Sequence, residues 1–151
     1  MNFKATLLAA FREIFVPRHR SLEFRAKVFS AMLLALKKVN KSHYELVEQI
    51  SKEIYADDPK RAKLLVALTR EYVAKANIYR SLNLDSLLKD IDNTLKNQRF
   101  FSKKIDFSYL RRLISKDDDE ALLQMRVYEF LVDETKRYSY KKWNIFIHLL
   151  W

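Results

Sequence analysis

Asp117, Asp118, Asp119 and Glu120 are the densest run of chemistry-bearing side chains in this sequence. Adjacent carboxylates bind Mg²⁺ or Ca²⁺ when a loop spaces them around the ion. Here no glycine turn and no ligand spacing accompanies them, so the run reads as the acidic start of a helix, where carboxylates meet the positive end of the backbone dipole. His19, His43 and His148 lie far apart without i, i+4 partners and carry no zinc signature. Serine, histidine and aspartate are all present, but without an oxyanion corner they are composition only. No pair of carboxylates is set on facing helices by any pattern in the chain. The expectation is a chain that is not an enzyme and holds neither cofactor nor metal.

Cations are the remaining candidates. The stretch RHRSLEFRAK brings Arg18, Arg20 and Arg25, and Lys37, Lys38 and Lys41 follow. Together these six could form a basic face for a partner, for nucleic-acid phosphates or for an anionic membrane surface, since such binding needs clustered cations. The formal net charge is +10 and leans towards the N-terminus. No block of five or six like charges occurs, so there is no basic tail, and solvated helix faces are the ordinary use of these residues. Phe100 and Phe101 resemble a base-stacking pair, but at a joint between helices such aromatics pack into the core.

Composition removes whole classes of function. The chain contains no glycine, which excludes dinucleotide fingerprints, phosphate-cradling P-loops and nucleophile elbows, and leaves little means of turning strands. It contains no cysteine, which excludes disulfides and thiolate sites and fits a reducing cytoplasm. At 151 residues it suits one domain, 1–151, burying roughly 70% of its unfolded surface. A cytoplasmic location is expected, with the inner face of a membrane as an alternative place within it.

Positioning falls to helices. Phe3, Leu7, Leu8, Phe11, Ile14 and Phe15 have helical spacing in residues 1–16, a peripheral or packed first helix that Pro17 ends. Ser21 is expected to cap a second helix to about Lys38, with Phe24, Val28, Phe29, Met32, Leu33 and Leu36 inside. Ser42 and Glu45 spell a capping box. Asp57-Asp58-Pro59 starts a fourth helix to about Tyr79, Asp85 a fifth, and Ser102 or Asp106 a short sixth. The acidic run precedes a seventh bearing Leu122, Leu123, Met125, Val127, Phe130 and Leu131, and Ser139 is expected to cap the last. No segment alternates as a strand. The fold class is all-α, a compact bundle of about seven or eight short helices.

The chain closes on WNIFIHLLW, in which only Asn144 and His148 are polar. A helix apolar nearly all round belongs inside a bundle and not on its surface, so this end reads as core. Trp143, Phe146, Leu150 and Trp151 are at the same time the candidate interface, for self-association or a protein partner.

Two stretches share a plan: AMLLALKKVNKSHYELVEQI, and FLVDETKRYSYKKWNIFIHLL, each an apolar helix, a charged corner, a serine and another apolar helix. On these residues the chain resembles the TerB-like (tellurite-resistance) helical family, in particular the TerB-like domain of membrane-anchored DnaJ-like co-chaperones. The resemblance spans about residues 24–150 and implies two helical hairpins and a protein-interaction role. The family corner, Ala-Asp-Gly followed by a glutamate, is suspected of binding metal. Here the first corner reads Lys37-Lys38-Val39, keeping Ser42 and Glu45, and the second reads Val132-Asp133-Glu134 with Lys142 near the glutamate position, so the metal ligands are not carried over. A DnaK-type chaperone would be reached only through a J domain and its His-Pro-Asp loop, a tripeptide absent from this chain. The resemblance also implies that the reading frame continues past Trp151.

Overall fold

The segment Leu22 to Leu33 is apolar on almost every side, with Phe24, Ala26, Val28, Phe29, Ala31 and Met32 between, and it forms the axis of the protein. The structure, a computed structural model, describes residues 19–150, with side chains placed through residue 139. It is all-α, and among the described residues there is no strand. Six α-helices follow one another: α1 (Arg20–Leu34), α2 (Lys41–Ile54), α3 (Pro59–Ile78), α4 (Leu84–Asn97), α5 (Phe107–Leu113) and α6 (Asp118–Leu150). Short 3₁₀ turns, Arg80–Leu82 and Arg99–Lys104, flank α4. The expected helix in residues 1–16 lies outside the described residues.

α1 packs against α3, α4, α5, α6 and the second 3₁₀ turn, while α2 closes the bundle against α3 and α5. All six inward positions expected of its sequence, Phe24, Val28, Phe29, Met32, Leu33 and Leu36, are buried. Each such large apolar side chain contributes roughly 1.5–3 kcal/mol when fully buried. Where α1 crosses α3 the residues are small, and their hydroxyls are satisfied by backbone: Ser30 donates to the Ala26 carbonyl at 2.7 Å and Thr69 to that of Leu65 at 2.8 Å.

Helix starts follow the sequence with shifts of register. Asp58 caps α3, accepting from the Arg61 N–H at 3.2 Å, with Pro59 in the first turn, and Asp106 caps α5, accepting from Ser108 N–H at 2.9 Å. Three expected caps are corrected. Ser21 lies inside α1, behind His19. The box at α2 is Asn40 and His43: the Asn40 side-chain Oδ1 accepts from Ser42 N–H at 3.1 Å and His43 Nδ1 accepts from Asn40 N–H at 3.0 Å. Ser42 and Glu45 therefore do not make it, and Glu45 meets Lys41 at 3.7 Å instead. α4 is capped by Asn83, with Asp85 in its first turn. Ser102 sits within a 3₁₀ turn, leaving Asp106 as the start of α5.

The largest correction concerns the second hairpin. No corner separates Leu131 from Ser139; the chain runs as one helix of 33 residues. The reason is local. The stretch VDETKRYS has neither proline nor glycine, and Val127, Leu131, Glu134 and Tyr138 continue a single buried stripe at helical spacing. Ser139 is no cap, because its hydroxyl donates to Ser102 Oγ at 3.0 Å.

Helix ends pose a harder problem, because without glycine the left-handed cap that usually satisfies the last carbonyls is unfavourable. Among the described residues none has positive φ. At the end of α1 the Leu36 N–H turns back to Leu33 O at 3.0 Å, which leaves Met32 O without a helical donor. Gln124, wholly buried, supplies it: Nε2 donates to Met32 O at 3.1 Å and to Leu113 O, at the end of α5, at 2.8 Å. Its Oε1 accepts from Ser115 N–H at 2.7 Å. One side chain thus ties three helices. Gln124→Met, of similar shape, would strand two carbonyls and one N–H in the interior and is expected to cost on the order of 3–5 kcal/mol in urea unfolding. A loss below about 1 kcal/mol, the scale of an ordinary surface change, would contradict this role.

Candidate functional site

The buried stripe of α6 fixes which residues of that helix face outward. Gln124, Val127, Leu131, Glu134 and Tyr138 are all buried. Leu122, Leu123 and Met125 consequently stand in solvent, 61%, 45% and 41% exposed. Phe130 is half-buried. Of the candidate interface, Trp143, Phe146 and Leu150 fall on the last turns of α6 with side chains outside the described set, and Trp151 lies outside the described residues altogether.

The candidate cations do not form one face. Arg18 lies outside the described residues. Arg20 borders a groove of about 330 Å³ between α1 and α4, where Lys27 is already paired with Asp90 at 2.7 Å. Arg25 is five residues further on, turned by roughly 140° around the same helix, and points to Tyr55, whose hydroxyl accepts from its Nη1 at 2.8 Å. Lys37 and Lys38 border a third place, a groove of about 340 Å³ beside Tyr44 and Asn77, and Lys41 pairs with Glu45.

The acidic run behaves as a helix start. Asp117 Oδ1 accepts from the N–H groups of Asp119 and Glu120 at 2.9 and 3.2 Å, and Glu120 accepts from the Ser115 hydroxyl at 3.0 Å. Among the described residues no three acids or histidines stand together as metal ligands. Phe101 is buried against Phe24, ring centroids 5.1 Å apart, while Phe100 stacks on its outer side at 4.3 Å and is exposed.

One cluster escaped the sequence reading. Asp92 of α4 and Glu134 of α6 meet as a carboxyl pair, beside Tyr138, whose hydroxyl donates to Asp92 Oδ1 at 2.8 Å. Glu134 is only 7% exposed and its Oε2 is buried. Burial, followed by the hydrogen bond and charge of Asp92, pushes its carboxyl up to about 7, against which Arg137, 3.6 Å away, works weakly. Asp92 is held below the usual carboxylate range by its hydrogen bonds from Glu134 and Tyr138. Of the two, Glu134 is the one that keeps its proton on the acid side of neutrality, while Asp92 stays ionised. A period of 42 residues separates the two acids, and nothing in either helix marks the meeting.

This predicts a pH dependence with two limbs. Glu134 holds its proton more tightly folded than unfolded, so its contribution is full below the ordinary carboxyl range and disappears as pH rises through about 7. Asp92 acts oppositely, its contribution disappearing as pH falls through its lowered value. Urea unfolding between pH 5 and 8 should show stability declining on the alkaline side, and Glu134→Gln, which keeps the donor without the charge, should flatten that decline. An equal decline in the variant would mean that other groups cause it.

Among the described residues no helix is long and apolar enough to cross a membrane. Comparisons with models of protein families, with curated proteins and with solved structures find no match to this chain.

Proposed function

We propose that this protein is a non-catalytic interaction module that pairs with a second copy of itself through the outer face of α6. The observation that carries the reading is the exposure of Leu122, Leu123 and Met125 on the longest helix of the molecule. At 1.5 Å per residue its 33 residues make a rod of about 50 Å, against about 30 Å for the 20 residues of α3. Leu122, Glu129, Lys136, Trp143 and Leu150 succeed one another along it at seven-residue steps. A seven-residue repeat keeps one seam of a helix turned towards a partner helix. Glu129 and Lys136, both exposed, carry opposite charges suited to pairing between copies.

The resemblance to TerB-like domains supports a protein-binding role. In that setting the chain is the TerB-like part of a DnaJ-like co-chaperone, and a DnaK-type chaperone is engaged by a J domain elsewhere in the longer protein. The alternative, a basic module for nucleic acid or an anionic membrane, draws on the +10 charge; the separation of Arg20, Arg25, Lys37 and Lys38 into different grooves weighs against it.

Light scattering on the full chain is expected to give the mass of a dimer. Leu122→Glu with Met125→Glu, both at solvent positions, should yield a monomer of unchanged helix content. A wild-type monomer at the same concentration, or a dimer that survives the double change, would refute pairing through this face.

A further inference from the structure

Arg25 is half-buried in the middle of α1 and is held by Tyr55 in two ways. Its Nη1 donates to the Tyr55 hydroxyl at 2.8 Å, and its guanidinium carbon lies 5.3 Å from the centre of the ring. That bond uses one of five N–H donors, and among the described residues no carboxylate pairs with Arg25. Arg25 borders a groove of about 270 Å³ between α1, the end of α2, the second 3₁₀ turn and α5. Lys103, Lys104 and Tyr109 line the same groove, and neither lysine has an ion pair among the described residues.

The two acids of the groove are engaged elsewhere. Glu53 Oε2 accepts from Arg112 Nη1 at 2.6 Å. Asp106 Oδ1 accepts from Ser108 N–H at 2.9 Å and from the Ser108 hydroxyl, as the cap of α5. Three cations without an ion pair among the described residues thus face one cleft, with the two occupied carboxylates on its wall, and the most rigid of the three is an oriented guanidinium fork.

We infer that this groove binds a phosphate group, with Arg25 donating to two of its oxygens and Lys103 and Lys104 balancing the second charge. A carboxylate would satisfy the arginine fork alone; a dianion with three or more acceptor oxygens uses all three cations and the Tyr109 hydroxyl. The inference is independent of pairing through α6.

The test is a titration of the full ¹⁵N-labelled chain with inorganic phosphate, against sodium chloride at matched ionic strength. Saturable shifts are expected at the amides of residues 102–106 and 109 and at Arg25 Nε, absent with chloride. Lys103→Gln with Lys104→Gln, which breaks no bond in the fold, should weaken phosphate binding about tenfold with the spectrum otherwise unchanged. Arg25→Lys, which keeps the charge and loses the fork, should weaken it as well. Shifts equal to those with chloride, shifts centred elsewhere, or unchanged affinity in the lysine double variant would overturn the assignment.

Discussion

A helix must do something with its last carbonyls, and this chain has no glycine with which to do the usual thing. The consequence is visible at Gln124. Its amide N–H groups reach the ends of α1 and α5 together, and its carbonyl takes the Ser115 N–H that begins the approach to α6. A buried amide with both donors and its acceptor engaged is an all-or-none feature, since a half-satisfied one would cost more than an apolar replacement. It sets the rotation of α6 about its own axis. Leu122 and Met125, two residues before and one after, are turned outward as a result, and the surface proposed for pairing is the other side of this interior bond.

Further along α6 a second polar contact holds the helix, of a different kind. Val127 and Leu131 supply apolar packing, and then Glu134 and Tyr138 meet Asp92, with Ser139 bonded to Ser102 next to them. The amide contact at Gln124 has no titratable group. The acid contact has one whose proton leaves near neutrality. The same helix is therefore fixed at its N-terminal side by a bond indifferent to pH and, near Glu134, by one that responds to it. Tyr72, half-buried and beside Glu23, is likewise pushed far above the ordinary phenol range, which keeps it protonated as a donor to that carboxylate at 3.2 Å.

Much of the architecture was legible in the sequence because it depends on short-range rules. The inward face of α1 follows from 3.6-residue spacing, and Asp58-Pro59 and Asp106 mark their helices through interactions within one turn. What misled was choice among equals: Asn40 and Ser42 both offer a capping oxygen two residues apart, and only packing decides which is used. A serine after a charged stretch resembles a helix start, but nothing between Val132 and Ser139 breaks a helix, so the chain has no corner there. Leu122, Leu123 and Met125 are exposed, while Gln124 among them is the residue inside; side-chain type cannot reveal that, because the need for an amide arises at the ends of two helices far away in the chain. The Asp92–Glu134 pair and the groove at Arg25 are likewise products of tertiary contact alone. Among the candidate cations, helical spacing itself separates Arg20 from Arg25.

The central claim is that α1, the end of α5 and the first half of α6 form one cooperative unit through Gln124. Native-state hydrogen exchange tests it directly. Amides of residues 22–33, 110–113 and 124–131 should share one opening free energy, equal to that of global unfolding measured in urea. Exchange of 124–131 through a separate, lower-energy opening while 22–33 stays protected would show that α6 docks as an independent element and contradict the account.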